Sequence, residues 1–161
     1  MFKSYLLRII IFGFLFVCRP AYALELGQVI ELGQMQTLNG GTFSIPANNN
    51  KHTLIQVWAS WCPFCRRQNG YLEEFVKRIP KNSMNIITVS IDKNAQIAKN
   101  YMTTHGYVFE AAMMSPELKR SIGKVRGVPI LIILDKNNKV VYQEIGEIFE
   151  EDFVSLERFA K

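Results

Sequence analysis

The stretch Trp58-Ala59-Ser60-Trp61-Cys62-Pro63-Phe64-Cys65 constrains this chain more than any other. An apolar, β-prone run, Thr53 to Trp58, leads into two cysteines separated by two residues, and a helix-like segment, Arg66 to Ile79, follows. A strand that ends where a helix begins places the first sulfur at the helix N-terminus. There, unpaired backbone N–H groups and the positive end of the helix dipole favour an anion. Such a setting lowers a thiol pKa from about 8.5 into a range of roughly 3.5–7.5. The second sulfur lies one turn further in, close enough to close a tight disulfide with the first. The pattern reads as a dithiol–disulfide exchange site, with Cys62 and Cys65 as its reacting groups.

The N-terminus reads as an export leader. Lys3 and Arg8 give a positive start, Ile9 to Cys18 an apolar stretch, and Ala21-Tyr22-Ala23 a small-x-small cleavage site. Residues 1–23 are therefore expected to be removed, leaving residues 24–161 as one domain; the alternative is a short N-terminal anchor that stays in place. Val17 before Cys18 is a poor match to a lipid-attachment signal. No run of about eighteen apolar residues, the length that crosses a bilayer, occurs in the sequence.

Loss of the leader takes Lys3, Arg8 and Arg19 from the 19 basic residues and none of the 14 acids, so 16 remain against 14 and the charge falls from +5 to about +2. The basic balance thus belongs partly to the leader. With no basic run interleaved with aromatics, nucleic-acid binding is not expected. Cys18 leaves as well, so the domain keeps Cys62 and Cys65. A single pair closing so short a loop would add little as a staple, because a disulfide's entropic effect grows with the loop it closes. A zinc site would need further ligands, and His52 and His105 stand alone and far apart in sequence. Neither a metal nor a cofactor is expected.

Along the chain, Leu24 to Thr37 reads as a loose lead-in, and Thr37 to Ile45 as a β-hairpin turning at Asn39-Gly40-Gly41. Thr53 to Trp58 suits a central buried strand. In the helix after the cysteines, Leu72, Phe75, Val76 and Ile79 share one face, while Arg66, Arg67, Glu73, Lys77 and Arg78 read as solvated. Met84 to Ile91 is a second core strand, Asn94 to His105 an amphipathic helix, and Tyr107 to Met114 either a short strand or an irregular insertion whose methionines fill the core. Ser115 and Pro116 open a short helix that closes near Gly123. Two strands joined by a tight turn, Ile130 to Leu134 and Lys139 to Ile145, precede a terminal helix, Glu150 to Ala160. Strands alternating with helices predict an α/β fold with a central mixed sheet and helices on both faces.

The Trp-Cys-Pro-Phe-Cys motif at residues 61–65, followed some sixty residues on by Arg126-Gly127-Val128-Pro129, resembles the thioredoxin fold. The N-terminal hairpin, the longer middle segment and the leader are more similar to the TlpA/ResA branch of exported thiol-disulfide oxidoreductases than to cytosolic thioredoxin. The resemblance spans roughly residues 28–161 and implies a thioredoxin-like three-layer fold. It implies Cys62 as the exposed nucleophile and Cys65 as the buried resolving thiol. It also implies that Pro129 is a cis-proline facing the disulfide, that the Val128 backbone pairs with substrate, and that Trp61 forms part of the apolar rim.

Two positions depart from the family pattern. Gln56 stands where thioredoxins carry a buried aspartate, and Gln68 where many TlpA/ResA members carry a glutamate. The dipeptide Pro63-Phe64 also lacks the histidine common in strongly oxidising relatives, which favours the reductive direction. The resemblance implies clients among cysteine-containing exported proteins, apocytochrome c among them, and recharging by a membrane-embedded electron donor. Gly127-Val128-Pro129-Ile130 differs from the Gly-Ala-Pro-Glu-like segment of members devoted to cytochrome c. The competing readings are a disulfide oxidase or isomerase and a non-catalytic binding module of the same fold.

Overall fold

The computed structural model describes residues 24–46 and 49–160; the expected leader lies outside the described residues. The chain runs β1 (Met35–Gln36), β2 (Thr42–Phe43), β3 (Thr53–Trp58), α1 (Pro63–Arg78), β4 (Asn85–Ser90), α2 (Ala95–His105), β5 (Ala111–Met113), α3 (Pro116–Ile122), β6 (Ile130–Leu134), β7 (Val140–Ile145) and α4 (Glu150–Leu156), and ends in a 3-10 turn, Glu157–Phe159.

Five strands form one sheet in the order β5-β4-β3-β6-β7. β3 pairs in parallel with β4, and β4 with β5, while β6 runs antiparallel to both β3 and β7. Every residue of β3 is buried, as its near-continuous apolar character requires of a central strand. Its side chains alternate between two cores. Leu54 and Trp58 join Leu72 and Phe75 of α1, Ala98 and Met102 of α2, and Phe153 and Leu156 of α4. Ile55 and Val57 join Leu118 and Ile122 of α3 on the other face. The result is the expected mixed sheet between two helical layers.

Local signals set the helix boundaries. Asn94 Oδ1 accepts from the Ile97 N–H at 3.1 Å, and Ser115 Oγ from the Leu118 N–H at 3.0 Å, each satisfying a backbone donor the first helical turn leaves open. Pro63 and Pro116 sit in the first turns of α1 and α3, where a missing N–H has no partner to lose. Gly106 ends α2 at φ 67°, a left-handed conformation that glycine adopts without a Cβ clash.

The lead-in differs from its expected looseness. Leu24, Ile30, Leu32 and Met35 are buried in the second core, and residues 27–30 bond to the chain around β7: Gly27 N–H to Val140 O at 2.8 Å, Val140 N–H to Gln28 O at 2.9 Å, and Ile30 N–H to Asn138 O at 2.9 Å. The expected hairpin is present, but its strands are Met35–Gln36 and Thr42–Phe43, so the first begins earlier than the sequence suggests. The reason is competition: Thr37 forms a bridge to Ala112, and the Leu38 N–H donates to Ala111 O at 2.7 Å, which draws this end of the hairpin onto β5.

Candidate active site

β3 ends at Trp58, and the chain turns through Ala59 to Trp61 before α1 begins. Asp92, just past the end of β4, fixes that turn. Its carboxylate accepts from the Ser60 N–H at 3.1 Å and from the Ser60 and Ser90 hydroxyls at 2.8 Å each, while remaining 93% buried (7% exposed). The sequence offers Asp92 only as the residue that stops a strand. Asp92→Ala strands the Ser60 N–H and both hydroxyls, and the expected cost is about 1–3 kcal/mol of stability, read as a lower midpoint in denaturant titration. An unchanged midpoint would show that water replaces the carboxylate without loss.

Cys62 is the N-cap of α1, and its Sγ accepts from the Cys65 N–H at 3.1 Å. The two cysteines are joined by a disulfide, with Cα atoms 5.2 Å apart. Opposite them, the Val128–Pro129 peptide is cis, and the Val128 carbonyl oxygen lies 3.3 Å from Cys62 Sγ. Val128 is half-buried and Pro129 buried, and Pro129 leads directly into β6. Trp61, 68% exposed, flanks the sulfurs. The fold thus brings Trp61, Cys62, Cys65, Val128 and Pro129 to one end of the sheet.

The exposure expected of Cys62 is corrected by its surroundings: only 4% of its surface is open, because the sulfur turns inward to Cys65 and rests against the Val128 carbonyl. Cys65 is fully buried. Phe64, to which the sequence assigns no role, is half exposed beside the pair, with the Arg67 guanidinium 5.1 Å from its ring centroid. Arg67 in turn makes a two-pronged contact with Glu147, from Nε at 2.7 Å and Nη2 at 2.5 Å, which ties α1 to the loop after β7. Of the five charges read as solvated, Lys77 also pairs with Glu74 at 3.0 Å and Arg78 with Glu157 at 2.5 Å, and Glu73 is buried and accepts from the Val108 N–H at 2.9 Å.

The two glutamines at the departing positions face each other. The Ile148 N–H donates to Gln68 Oε1 at 2.8 Å, Gln68 Nε2 to Gln56 Oε1 at 3.0 Å, and Gln56 Nε2 to Asn69 Oδ1 at 2.5 Å. All three side chains are fully buried, and Gln68 and Asn69 lie one helical turn beyond Cys65. Asn69 Nδ2 at the end of the ladder has no hydrogen-bond partner. A ladder of amides can orient but cannot accept a proton at neutral pH. On the adjoining flank Tyr101, His105, Tyr107 and Phe109 stack in sequence, and the Tyr107 hydroxyl donates to Arg66 O at 3.3 Å. Burial, with Tyr101 beside it, pushes the Tyr107 phenol up to about 12, so it stays neutral at working pH.

Comparison with known proteins agrees with this geometry. The family model described as Redoxin matches residues 26–158. The chain is 23% identical over 120 residues to sporulation thiol-disulfide oxidoreductase A of Bacillus subtilis, covering 73% of this chain and 72% of that protein. It is 25% identical over 114 residues to thiol-disulfide oxidoreductase ResA of Bacillus thuringiensis, covering 71% of this chain and 66% of ResA. Among solved structures, a thiol:disulfide interchange protein of the thioredoxin family from Chlorobium tepidum superposes with a TM-score of 0.74 at 23% identity, covering 86% of this chain and 99% of that one. That likeness establishes the thioredoxin-like fold.

Proposed function

Given that the chain belongs to the Redoxin family, we propose that it is an exported protein-disulfide oxidoreductase in which Cys62 and Cys65 reduce disulfides in cysteine-containing exported proteins. The observation that carries the reading is Cys62 Sγ at the start of α1, accepting the Cys65 N–H and facing the Val128 carbonyl. In the reduced protein, that N–H and the helix dipole stabilise a thiolate on Cys62. The thiolate attacks one sulfur of a client disulfide, whose S–S bond breaks. The departing client sulfur takes up a proton. Cys65, once deprotonated, attacks Cys62 Sγ, the mixed disulfide breaks, and the second client thiol leaves with the electron pair. The client gains two electrons, and the enzyme is left with the Cys62–Cys65 disulfide.

Val128 offers backbone beside the sulfurs for pairing with the client chain, and Trp61 supplies apolar surface at the rim. Residues 1–23 direct export or serve as an anchor, and residues 24–161 form the working domain. Among the described residues, no helix is long and apolar enough to cross a membrane. Recharging falls to a membrane-embedded electron donor, and apocytochrome c before haem attachment is one client of suitable chemistry.

Direction is decided by potential. A titration of the Cys62–Cys65 pair against glutathione and dithiothreitol buffers is expected to give a value near thioredoxin's, about −270 mV; a value near −120 mV would make the protein an oxidase instead.

A further inference from the structure

At the end of the sheet that carries the disulfide, on the β4–β5 side of β3, the strand ends and the segment after α3 line an open cavity of about 400 Å³. Its apolar surface comes from Ile91, Met113, Met114 and Val125, and Lys119 and Lys124 stand at its rim. A larger cavity, about 580 Å³ between the end of α1 and the start of β4, lies at the opposite end of the sheet.

Two links tie the smaller cavity to the end of the sheet that carries the reacting sulfurs. Asp92 forms part of its wall and holds Ser60, two residues before Cys62. Val125 lies three residues before Val128, whose carbonyl touches Cys62 Sγ.

The charge at the rim is one-sided. Lys119 and Lys124 are exposed, and among the described residues neither makes an ion pair, whereas the neighbouring Arg120 is paired with Glu117 at 3.1 Å. Asp92, in the cavity wall, bonds Ser60 and Ser90 and makes no ion pair with either lysine. Lys93 and Arg126, also exposed, add to the same side, while Glu144, Glu147, Glu150, Glu151 and Asp152 lie on the β7–α4 side.

We propose that this cavity is a subsite for the client chain, seating a large apolar side chain a few residues from the client cysteine, with Lys119 and Lys124 selecting clients that carry acidic residues next to it. The proposal rests on the reductase reading above and names which clients that site prefers. Apolar lining sets what fills the cavity, and the unpaired ammonium groups set the charge of what lies across its mouth. Because the lysines are exposed, their effect is modest and salt-dependent.

The test uses four ten-residue peptides, each with one cysteine held as a mixed disulfide with 2-mercaptoethanol. Leu-Asp-Glu or Leu-Lys-Lys is placed on either the N-terminal or the C-terminal side of the cysteine. Second-order rates with the reduced protein are measured at low salt and in 0.5 M salt. One acidic peptide is expected to react about threefold to tenfold faster than its lysine counterpart at low salt, with the gap closing at high salt. Replacing its leucine by glycine is expected to slow it at both salt levels. The double variant Lys119→Ala/Lys124→Ala is expected to lose the charge preference while reducing 2-hydroxyethyl disulfide at the unaltered rate. Equal rates for acidic and basic peptides, or a preference that survives in the double variant, overturn the subsite. Failure to reduce 2-hydroxyethyl disulfide at all overturns the reductase reading itself, a separate result.

Discussion

Cys62→Ser is expected to lower the rate of insulin-disulfide reduction by at least about a thousandfold, since a hydroxyl at the same position is neither ionised nor nucleophilic at neutral pH. The variant retains the shape of the N-cap, and serine is itself a favourable cap, so α1 is expected to form normally. Cys65→Ser acts at a different step. Cys62 can still attack, but no second sulfur is present to release the client. The expected result is a covalent client adduct, retained on a non-reducing gel and released by dithiothreitol. The two variants together separate catalysis from mere binding. Equal turnover by wild type and Cys62→Ser would leave only a non-catalytic module of the same fold.

The second large effect is a pH dependence in the release step. Cys65 is fully buried, and the polar side chains next to it on α1 are Gln68 and Asn69, joined through Gln56 in a ladder that cannot take a proton. Burial favours the neutral thiol over the thiolate. The attack by Cys65 therefore depends on a small thiolate fraction, which rises about tenfold per pH unit below the thiol's own midpoint. Resolution of a preformed mixed disulfide is expected to accelerate about a hundredfold between pH 6 and pH 8 in rapid-quench measurements.

Gln68→Glu supplies the missing base. The introduced carboxylate can keep the bond from the Ile148 N–H, and Gln56 can turn its amide to donate to it. The Gln56 oxygen then faces Asn69, whose amide turns with it so that Nδ2, which lacks a partner in the present arrangement, donates in place of the oxygen that accepts now. That variant is expected to flatten the profile and quicken release at pH 6. A release rate that is already level from pH 6 to pH 8 in the wild type would mean that another group takes the proton.

Much of this was legible because it is local. The β3–Cys62–α1 junction, the caps at Asn94 and Ser115, and the turn between β6 and β7 are each written in a few adjacent residues. What remained hidden depends on distant partners. Glu73 looks like any other helix charge until the Val108 N–H, 35 residues away, claims its carboxylate. Asp92 gains its importance from Ser60, 32 residues earlier, and Arg67 from Glu147, 80 residues later. β5 has three residues, too few for a period of two to declare itself. The lead-in carries Ile30, Leu32 and Met35 at spacings that fit neither helix nor strand throughout, so only the sheet beneath it explains their burial. Gln56 and Gln68 were visible as departures, yet their union through Asn69 required the packing of α1 on β3.

The same lead-in has a further effect. Between Gly27 and Leu38 it crosses from the β7 margin of the sheet to the β5 margin, bonding at both. Unprotected margins of this kind recruit strands from other molecules and start aggregates. A protein that must repeatedly accept extended, partly unfolded chains is especially exposed to that hazard. With β5 and the start of β7 occupied by its own N-terminal segment, a visiting chain finds less open margin for indiscriminate strand addition and is steered toward the short backbone stretch at Val128.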